Sequence, residues 1–384
     1  VKSVAVIGAG PMGLEAALGA RERGFSVTVL EKARVGENFR RYGSARLFSP
    51  FAMNVSARAR AALGPSAPGP DALLTGTEMA ERVLEPLARL PALAGCVRTG
   101  HAVTAVGRAR MTRRDLPGHP LRAERPFRIL LDTGDGEQVI EADAVLDASG
   151  VYDRPAAVGL GGIPARGERA LDGALIQRLD ALQAALPWLG GKDVLLVGHG
   201  HSAAGALAAM AALSDPPVIR WATRSPNRRP CVEIADDPLP ERARVTTQAN
   251  DLAADPPGFL TVERRSGVEA FARQDGRVAV TLSGARGGVF DAVLGFTGYR
   301  PDLSFLSELA LDVSPMSEGA AGLARALAGI TDCLAVPVLR PADLDSGEPG
   351  FHLIGAKSYG RLPTFLLRNG YEQLETILDR LAAS

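Results

Sequence analysis

Val4-Ala5-Val6-Ile7-Gly8-Ala9-Gly10-Pro11-Met12-Gly13 decides the fold. An apolar run ends in a glycine-rich turn, the alanine-rich stretch Leu14 to Arg23 that follows is expected to be a helix, and a second apolar stretch, Phe25 to Leu30, ends at Glu31. Strand, turn, helix and strand in this order make a βαβ unit. Gly8 permits the tight turn out of the strand, Gly10 lets the backbone approach a pyrophosphate, and Gly13 lets helix and strand pack closely. The N-terminus of the helix, with Pro11 and Met12 at its start, then offers unpaired N–H groups to phosphates. Glu31, 23 residues after Gly8, is placed to accept hydrogen bonds from a ribose, with Lys32 beside it.

The pattern returns 190 residues later as Val194-Leu195-Leu196-Val197-Gly198-His199-Gly200-His201-Ser202-Ala203, followed by a helix expected to reach Leu213 and a strand from Val218 to Arg224. Gly198 and Gly200 repeat the first two glycines, Ala203 replaces the third, and Ser202 stands between them at the start of the helix. No acid closes the second strand. Arg224 stands there instead, with Arg228 and Arg229 just beyond, and an arginine pairs with a ribose 2′-phosphate that an acid would repel. The second site is therefore expected to prefer NADPH to NADH. His199 and His201 are expected to line the nicotinamide pocket rather than to bind zinc, since five scattered histidines offer no metal-ligand spacing.

Composition sets outer bounds. The 384 residues suffice for two or three domains with substantial cores. Lys plus Arg and Asp plus Glu both number 43, which gives no reason to expect a nucleic-acid or acidic-membrane partner. The longest uncharged apolar run, Ser202 to Leu213, is too short for a membrane span, and Val1 to Ile7 has the character of a first strand rather than a leader. The expected location is the cytoplasm. Cys96, Cys231 and Cys333 form no CxxC pair, which argues against a redox-active disulfide in the chain.

Between and beyond the fingerprints the chain divides at about residues 155 and 300, as 1–155, 156–300 and 301–384. The first part closes with the strand Ala144 to Ala148 and Ser149-Gly150; the second closes with the parallel phrase Ala292-Val293-Leu294-Gly295-Phe296-Thr297-Gly298-Tyr299-Arg300-Pro301-Asp302. In the last part a strand from Phe351 to Gly355, a polar turn and a helix from about Pro363 to Leu381 are expected to rejoin the first domain. Such a helix could aim its positive end at a flavin pyrimidine ring. Thr75 and Glu78 form a capping box for a helix that Pro86 should kink, 63–71 and 108–126 are expected to be exposed loops, and Gln138 to Asp147 and Arg277 to Ser283 have strand character.

The order GAGPMG, Asp147-Ala148-Ser149-Gly150, GHGHSA and Gly295-Phe296-Thr297-Gly298-Tyr299-Arg300-Pro301-Asp302 resembles the two-dinucleotide-binding-domain flavoproteins, and within them the flavin-containing monooxygenase and thioredoxin-reductase-like branch. The resemblance covers most of the chain. It implies an α/β fold of two Rossmann-like domains, the NADPH domain (156–300) inserted in the FAD domain (1–155 and 301–384). It places FAD through Gly8, Gly10, Gly13 and Glu31, and NADPH through Gly198, Gly200, Ser202 and Arg224. Lys32, Arg46, Ser149, Gly150, Gly298 and Gly355 are further cofactor-binding candidates. Two departures stand out. Val151 to Arg169 lacks the FxGxxxHxxx[FW] fingerprint of the monooxygenases, and Gly355-Ala356-Lys357-Ser358-Tyr359-Gly360 lacks the Gly-Asp pair of many reductases.

The segment Arg46 to Asn54 is expected to cover the isoalloxazine ring. Asn54, Lys357 and Tyr359 are the catalytic candidates, Asn54 to hydrogen-bond a flavin adduct and the other two to stabilise the reduced flavin or meet substrate. The reading is an NADPH-dependent FAD monooxygenase that forms a C4a-hydroperoxyflavin from dioxygen and oxygenates nitrogen, sulfur or arsenic in a small-molecule substrate. The alternative is an NADPH-dependent reductase of a small-molecule disulfide or quinone-like acceptor, and a third, less favoured, is a flavin-bearing sensor without turnover. Flavin chemistry would carry either reaction, with the protein supplying position and electrostatics. The fold's helical faces would also allow a homodimer.

Overall fold

A computed structural model of the chain describes residues 2–171 and 173–383. Its residues fall into two units, one of 1–40, 50–154 and 300–384 and the other of 41–49 and 155–299. Nothing in the sequence signals that Arg41–Ser49 counts with the second unit.

The first unit is built on strands β1 (Ser3–Ile7), β2 (Ser26–Glu31), β3 (Val97–Thr99), β4 (Ala102–Arg108), β5 (Phe127–Asp132), β6 (Glu137–Ala142) and β7 (Ala144–Asp147), with β16 (Phe351–Leu353) returning near the C-terminus. A five-stranded parallel sheet runs β16-β7-β1-β2-β3, and β4-β5-β6 form an antiparallel three-stranded sheet. Residues 4–7 of β1 and all of β7 are buried, as strands covered on both faces must be. The stretch Gln138 to Asp147 is therefore two strands, not one; β6 lies in the antiparallel sheet and β7 in the parallel one. Ala5, Ile7, Val145, Phe127, Ile129 and Phe351 share one core beneath both sheets.

The second unit repeats this plan with β8 (Leu175–Ile176), β9 (Asp193–Val197), β10 (Val218–Thr223), β11 (Leu260–Arg264), β12 (Gly267–Gln274), β13 (Arg277–Ser283), β14 (Gly288–Phe290) and β15 (Ala292–Gly295). The parallel order is β11-β10-β9-β15-β8, and β12-β13-β14 form its antiparallel sheet. The likeness extends to irregularities: β4 bulges between Val103 and Ala105, and β12 between Val268 and Ala270. Parallel pairing demands long crossovers, here the helices Pro11–Glu22 and His201–Ala211 that each fingerprint opens.

Three local expectations change. The polar turn before the C-terminal helix is itself a short helix, Ala356–Tyr359, and the long helix runs Leu367–Ala383. The capping box at Thr75 and Glu78 is present, but the irregularity sits before Pro86 as a π-turn, Ala80–Leu84, because the proline lacks the N–H that a regular helix would use there. Within 108–126, Arg108 and Arg122 are buried rather than exposed. Both pair with the buried Glu348, at 2.9 Å each, and Arg108 lies 3.7 Å from the centroid of the Phe127 ring. Three charged side chains of complementary sign satisfy one another where a single one would be too costly to bury.

Candidate functional site

In the first unit the fingerprint does what its glycines require. Gly8 has φ +99°, and a Cβ there would lie 3.0 Å from the Ala148 carbonyl oxygen; on Gly13 a Cβ would meet the Gly8 carbonyl oxygen at 1.9 Å. Gly10 has nothing within 4 Å of such an atom. It is the N-cap of helix Pro11–Glu22 and supplies no side-chain cap, so the first-turn N–H groups face an open space beside a glycine. That arrangement fits the pyrophosphate of FAD. Glu31 is buried at the end of β2, its two oxygens accepting from Ala9 N–H and Ala33 N–H at 2.8 Å each. Each oxygen keeps lone-pair capacity for a ribose hydroxyl. Lys32 is exposed and pairs with Asp153 at 2.8 Å.

The other first-unit candidates gather at the C-terminal ends of β1, β7 and β16, where ligands bind in open parallel sheets. Gly355 (φ +65°) is packed so closely that a Cβ would stand 2.6 Å from Met12 Cγ, while the space beside Gly150 (φ +70°) is open. Lys357 is wholly buried. Its Nζ lies 2.7 Å from Asp147 Oδ2 and donates to Ser149 Oγ at 2.8 Å, over the Phe305 ring at 4.4 Å. Ser149 in turn donates from both N–H and hydroxyl to Asp147 Oδ1. The lysine thus ties the end of β7 to the turn after β16. Its counter-ion is Asp147, which belongs to the sequence motif but carries no signal there that marks it as a site residue.

Helix Leu367–Ala383 holds the remaining two catalytic candidates in place. Tyr371 donates its hydroxyl to the Asn54 carbonyl at 2.9 Å, and Gln373 donates to the Tyr359 hydroxyl at 2.7 Å. Asn54 is buried at the end of the helix Phe51–Asn54. Tyr359 is buried edge-on against Phe365, and burial raises its phenol pKa, so its geometry is that of a packed neutral side chain.

The second unit repeats the loop at atomic detail. Gly198 has φ +110°, and a Cβ there would strike the Phe296 carbonyl oxygen at 2.2 Å; Gly200 is open, and as N-cap of His201–Ala211 it lends no side-chain cap. Ser202 lies in the first turn of that helix, and Gly298 (φ +95°) has open space beside it, as Gly150 does. The strand register places Thr223 opposite Gly198, where Glu31 stands opposite Gly8. Thr223 Oγ1 meets His199 Nδ1 at 3.1 Å and accepts from Ser225 N–H at 3.1 Å. Burial and the nearby Arg224 lower the His199 pKa.

Of the three arginines beyond β10, Arg228 donates to the Ala254 carbonyl and Arg229 pairs with Glu233 at 2.6 Å and Asp251 at 2.7 Å. The Arg224 guanidinium is exposed and, among the described residues, enters no hydrogen bond or ion pair. An open loop, an uncapped helix and an uncommitted cation fit NADPH. Thr223 is missed by the sequence reading; counting register from the second glycine loop finds it.

The segment Arg46 to Asn54 does not stay together. Arg46 and Phe48 count with the second unit, whereas Phe51–Asn54 counts with the first. Arg46 is therefore placed in the nucleotide unit opposite to the one its position in the sequence suggests. Cys96, Cys231 and Cys333 are free thiols; Cys231 is buried and its pKa is pushed up to about 12 by that burial and by Glu233. Among the described residues no group of His, Cys, Asp or Glu could hold a metal, and no helix is long and apolar enough to cross a membrane.

The sequence matches the pyridine nucleotide-disulphide oxidoreductase family over residues 2–318. No curated protein matches it in sequence. Among solved structures, the bacillithiol disulfide reductase of Bacillus cereus aligns with TM-score 0.72 and 17% identity, covering 100% of this chain and 99% of that one. A flavin monooxygenase mutant from Stenotrophomonas maltophilia aligns with TM-score 0.63 and 21% identity, again over 100% and 99%. The ornithine hydroxylase of Pseudomonas aeruginosa gives 0.64 and 17% over 100% and 99%. At such identities these likenesses show a common fold.

Proposed function

The chain belongs to the pyridine nucleotide-disulphide oxidoreductase family, with FAD and NADPH as cofactors, and from that premise we propose that it reduces a small-molecule disulfide directly from its flavin. The balance is NADPH, a proton and RSSR giving NADP+ and two RSH. The family match carries this reading. The cysteines support it: none is disulfide-bonded, and burial pushes the Cys231 pKa up to about 12, which disfavours the thiolate that a relay would need. Electrons would then leave for an external acceptor of the class of bacillithiol disulfide, the substrate in the name of a structural relative.

When bound, FAD would supply hydride acceptance and two-electron donation, and the chain's residues would hold and orient it. The Gly8–Gly13 loop and the helix Pro11–Glu22 would bind its pyrophosphate, and Glu31 its ribose. Lys357, fixed by Asp147 and Ser149, places a buried positive charge at the end of the sheet. In the second unit Gly200, Ser202 and Arg224 would hold NADPH.

Oxygen transfer to nitrogen, sulfur or arsenic, the first choice from sequence, is the second reading. Asn54 favours it, being a buried carboxamide whose backbone is anchored by Tyr371. One assay decides. NADPH oxidation is followed without oxygen in the presence of low-molecular-weight disulfides. Release of two thiols per NADPH is expected; no anaerobic turnover with any disulfide, together with substrate-dependent oxygen uptake in air, would reverse the order of the readings.

A further inference from the structure

We propose that the segment Arg41–Ser49 is a working part of the NADPH site, with Phe48 as a positioning residue that sets His201 to donate a hydrogen bond to the cofactor's pyrophosphate. The inference rests on NADPH being the ligand of the second unit.

In sequence the segment lies between Arg40 and Pro50 of the first unit, yet it packs within the second. Tyr42, Ala45 and Phe48 rest on the core that β9, β10 and the fingerprint helix build from Leu196, Ala203, Leu207 and Trp221 among others. Gln183 fixes its backbone from both ends of one carboxamide, accepting from Ser44 N–H at 2.9 Å and donating to the Tyr42 carbonyl at 3.4 Å. Gly43 between them has φ +66°, and a Cβ there would lie 2.2 Å from Gln183 Oε1, so the amide can reach only because that residue is glycine. An incidental crossing would need no such clasp.

The clasp delivers Phe48 to one place. Its ring meets the His201 ring edge-on, with centroids 5.3 Å apart and planes at 65°, a favourable aromatic geometry. His201 is the first residue of the helix His201–Ala211 and follows the open Gly200. The residue reaches solvent, yet surrounding groups displace enough water to lower its pKa; Arg242 acts in the same direction and Asp237 opposes it. Arg242 and Asp237 neutralise each other in a buried pair at 2.7 Å. Neutral or charged, the imidazole has an N–H to donate, and Phe48 holds it beside the uncapped helix end where the pyrophosphate would sit.

The test measures equilibrium binding of two probes to the flavoprotein: NADP+, and 2′-AMP, which carries the 2′-phosphate without a pyrophosphate. Phe48→Ala and His201→Ala should each weaken NADP+ about tenfold, the scale of one hydrogen bond to a charged group. Neither should change 2′-AMP binding, the double variant should lose no more than either single one, and Phe48→Tyr should bind as the unaltered protein does. Undiminished NADP+ affinity in Phe48→Ala, equal loss for both probes, or additive losses in the double variant would each overturn the positioning role. Failure of the unaltered protein to bind either probe would instead overturn the NADPH assignment on which the proposal rests.

Discussion

The two nucleotide units carry the same sheet order and the same glycine loop, and they differ at three places that loop position and strand register make equivalent. Gly13 in the first corresponds to Ala203 in the second, Glu31 to Thr223, and Asp147 to Gly295. The shared features are those that backbone geometry imposes: Gly8 and Gly198 both turn with positive φ against the carbonyl that follows the neighbouring strand, at Ala148 and Phe296. The differences lie at the strand ends and the first helical turn, where Glu31 and Asp147 carry buried charge in the first unit. A duplicated scaffold thus holds two cofactors because the backbone cradle is common while the strand ends diverge.

The strongest way to break the comparison is Gly13→Ala, which imitates the second loop in the first. The added Cβ would lie 1.9 Å from a backbone oxygen, so strand and helix must separate; the cost should exceed the about 1–3 kcal/mol of ordinary overpacking. Purified protein is expected to carry little FAD by absorbance, and full flavin content would refute the account.

Lys357→Met removes the cation that neutralises Asp147, at the strand end where the second unit has Gly295. Leaving Asp147 buried without it should destabilise the chain by about 3–5 kcal/mol. Urea unfolding measures this. A loss of turnover with stability intact would return Lys357 to the catalytic role expected from sequence.

Arg224→Ala sharpens the difference between strand ends. NADPH should lose about 1.5–3 kcal/mol of binding, the value of hydrogen bonds to a charged group, and NADH almost nothing. Equal effects on KM for both cofactors would mean that the 2′-phosphate lies elsewhere.

Smallest is Ala203→Gly, which imitates the first loop in the second. The Ala203 site already accepts a methyl group, so the expected change is the backbone penalty of about 1 kcal/mol in a helix. A loss of NADPH binding comparable to that of Arg224→Ala would show that the methyl group shapes the site.

The sequence is most legible where function constrains the backbone. Gly8, Gly10, Gly198 and Gly200 can be assigned from the residues alone because a tight turn and a close phosphate approach admit no side chain, and the strands around them are nearly continuous apolar runs. Antiparallel strands such as β4 and β5 carry a weaker pattern, and among them only β13 is legible in the sequence with its bounds. Arg108 and Arg122 look like a solvated loop in sequence, since nothing local announces that Glu348 lies more than 220 residues away as their partner.

By itself, then, the sequence determined two dinucleotide units, their order and the pair of cofactors, since these depend on residues close together in the chain: a glycine loop and the strand end some twenty residues after it. Tertiary structure decided which side chains share a site. It closed Lys357 onto Asp147 across 210 residues and brought Phe48 into the second unit against His201. Such pairings are made by long-range packing, and no local periodicity encodes them.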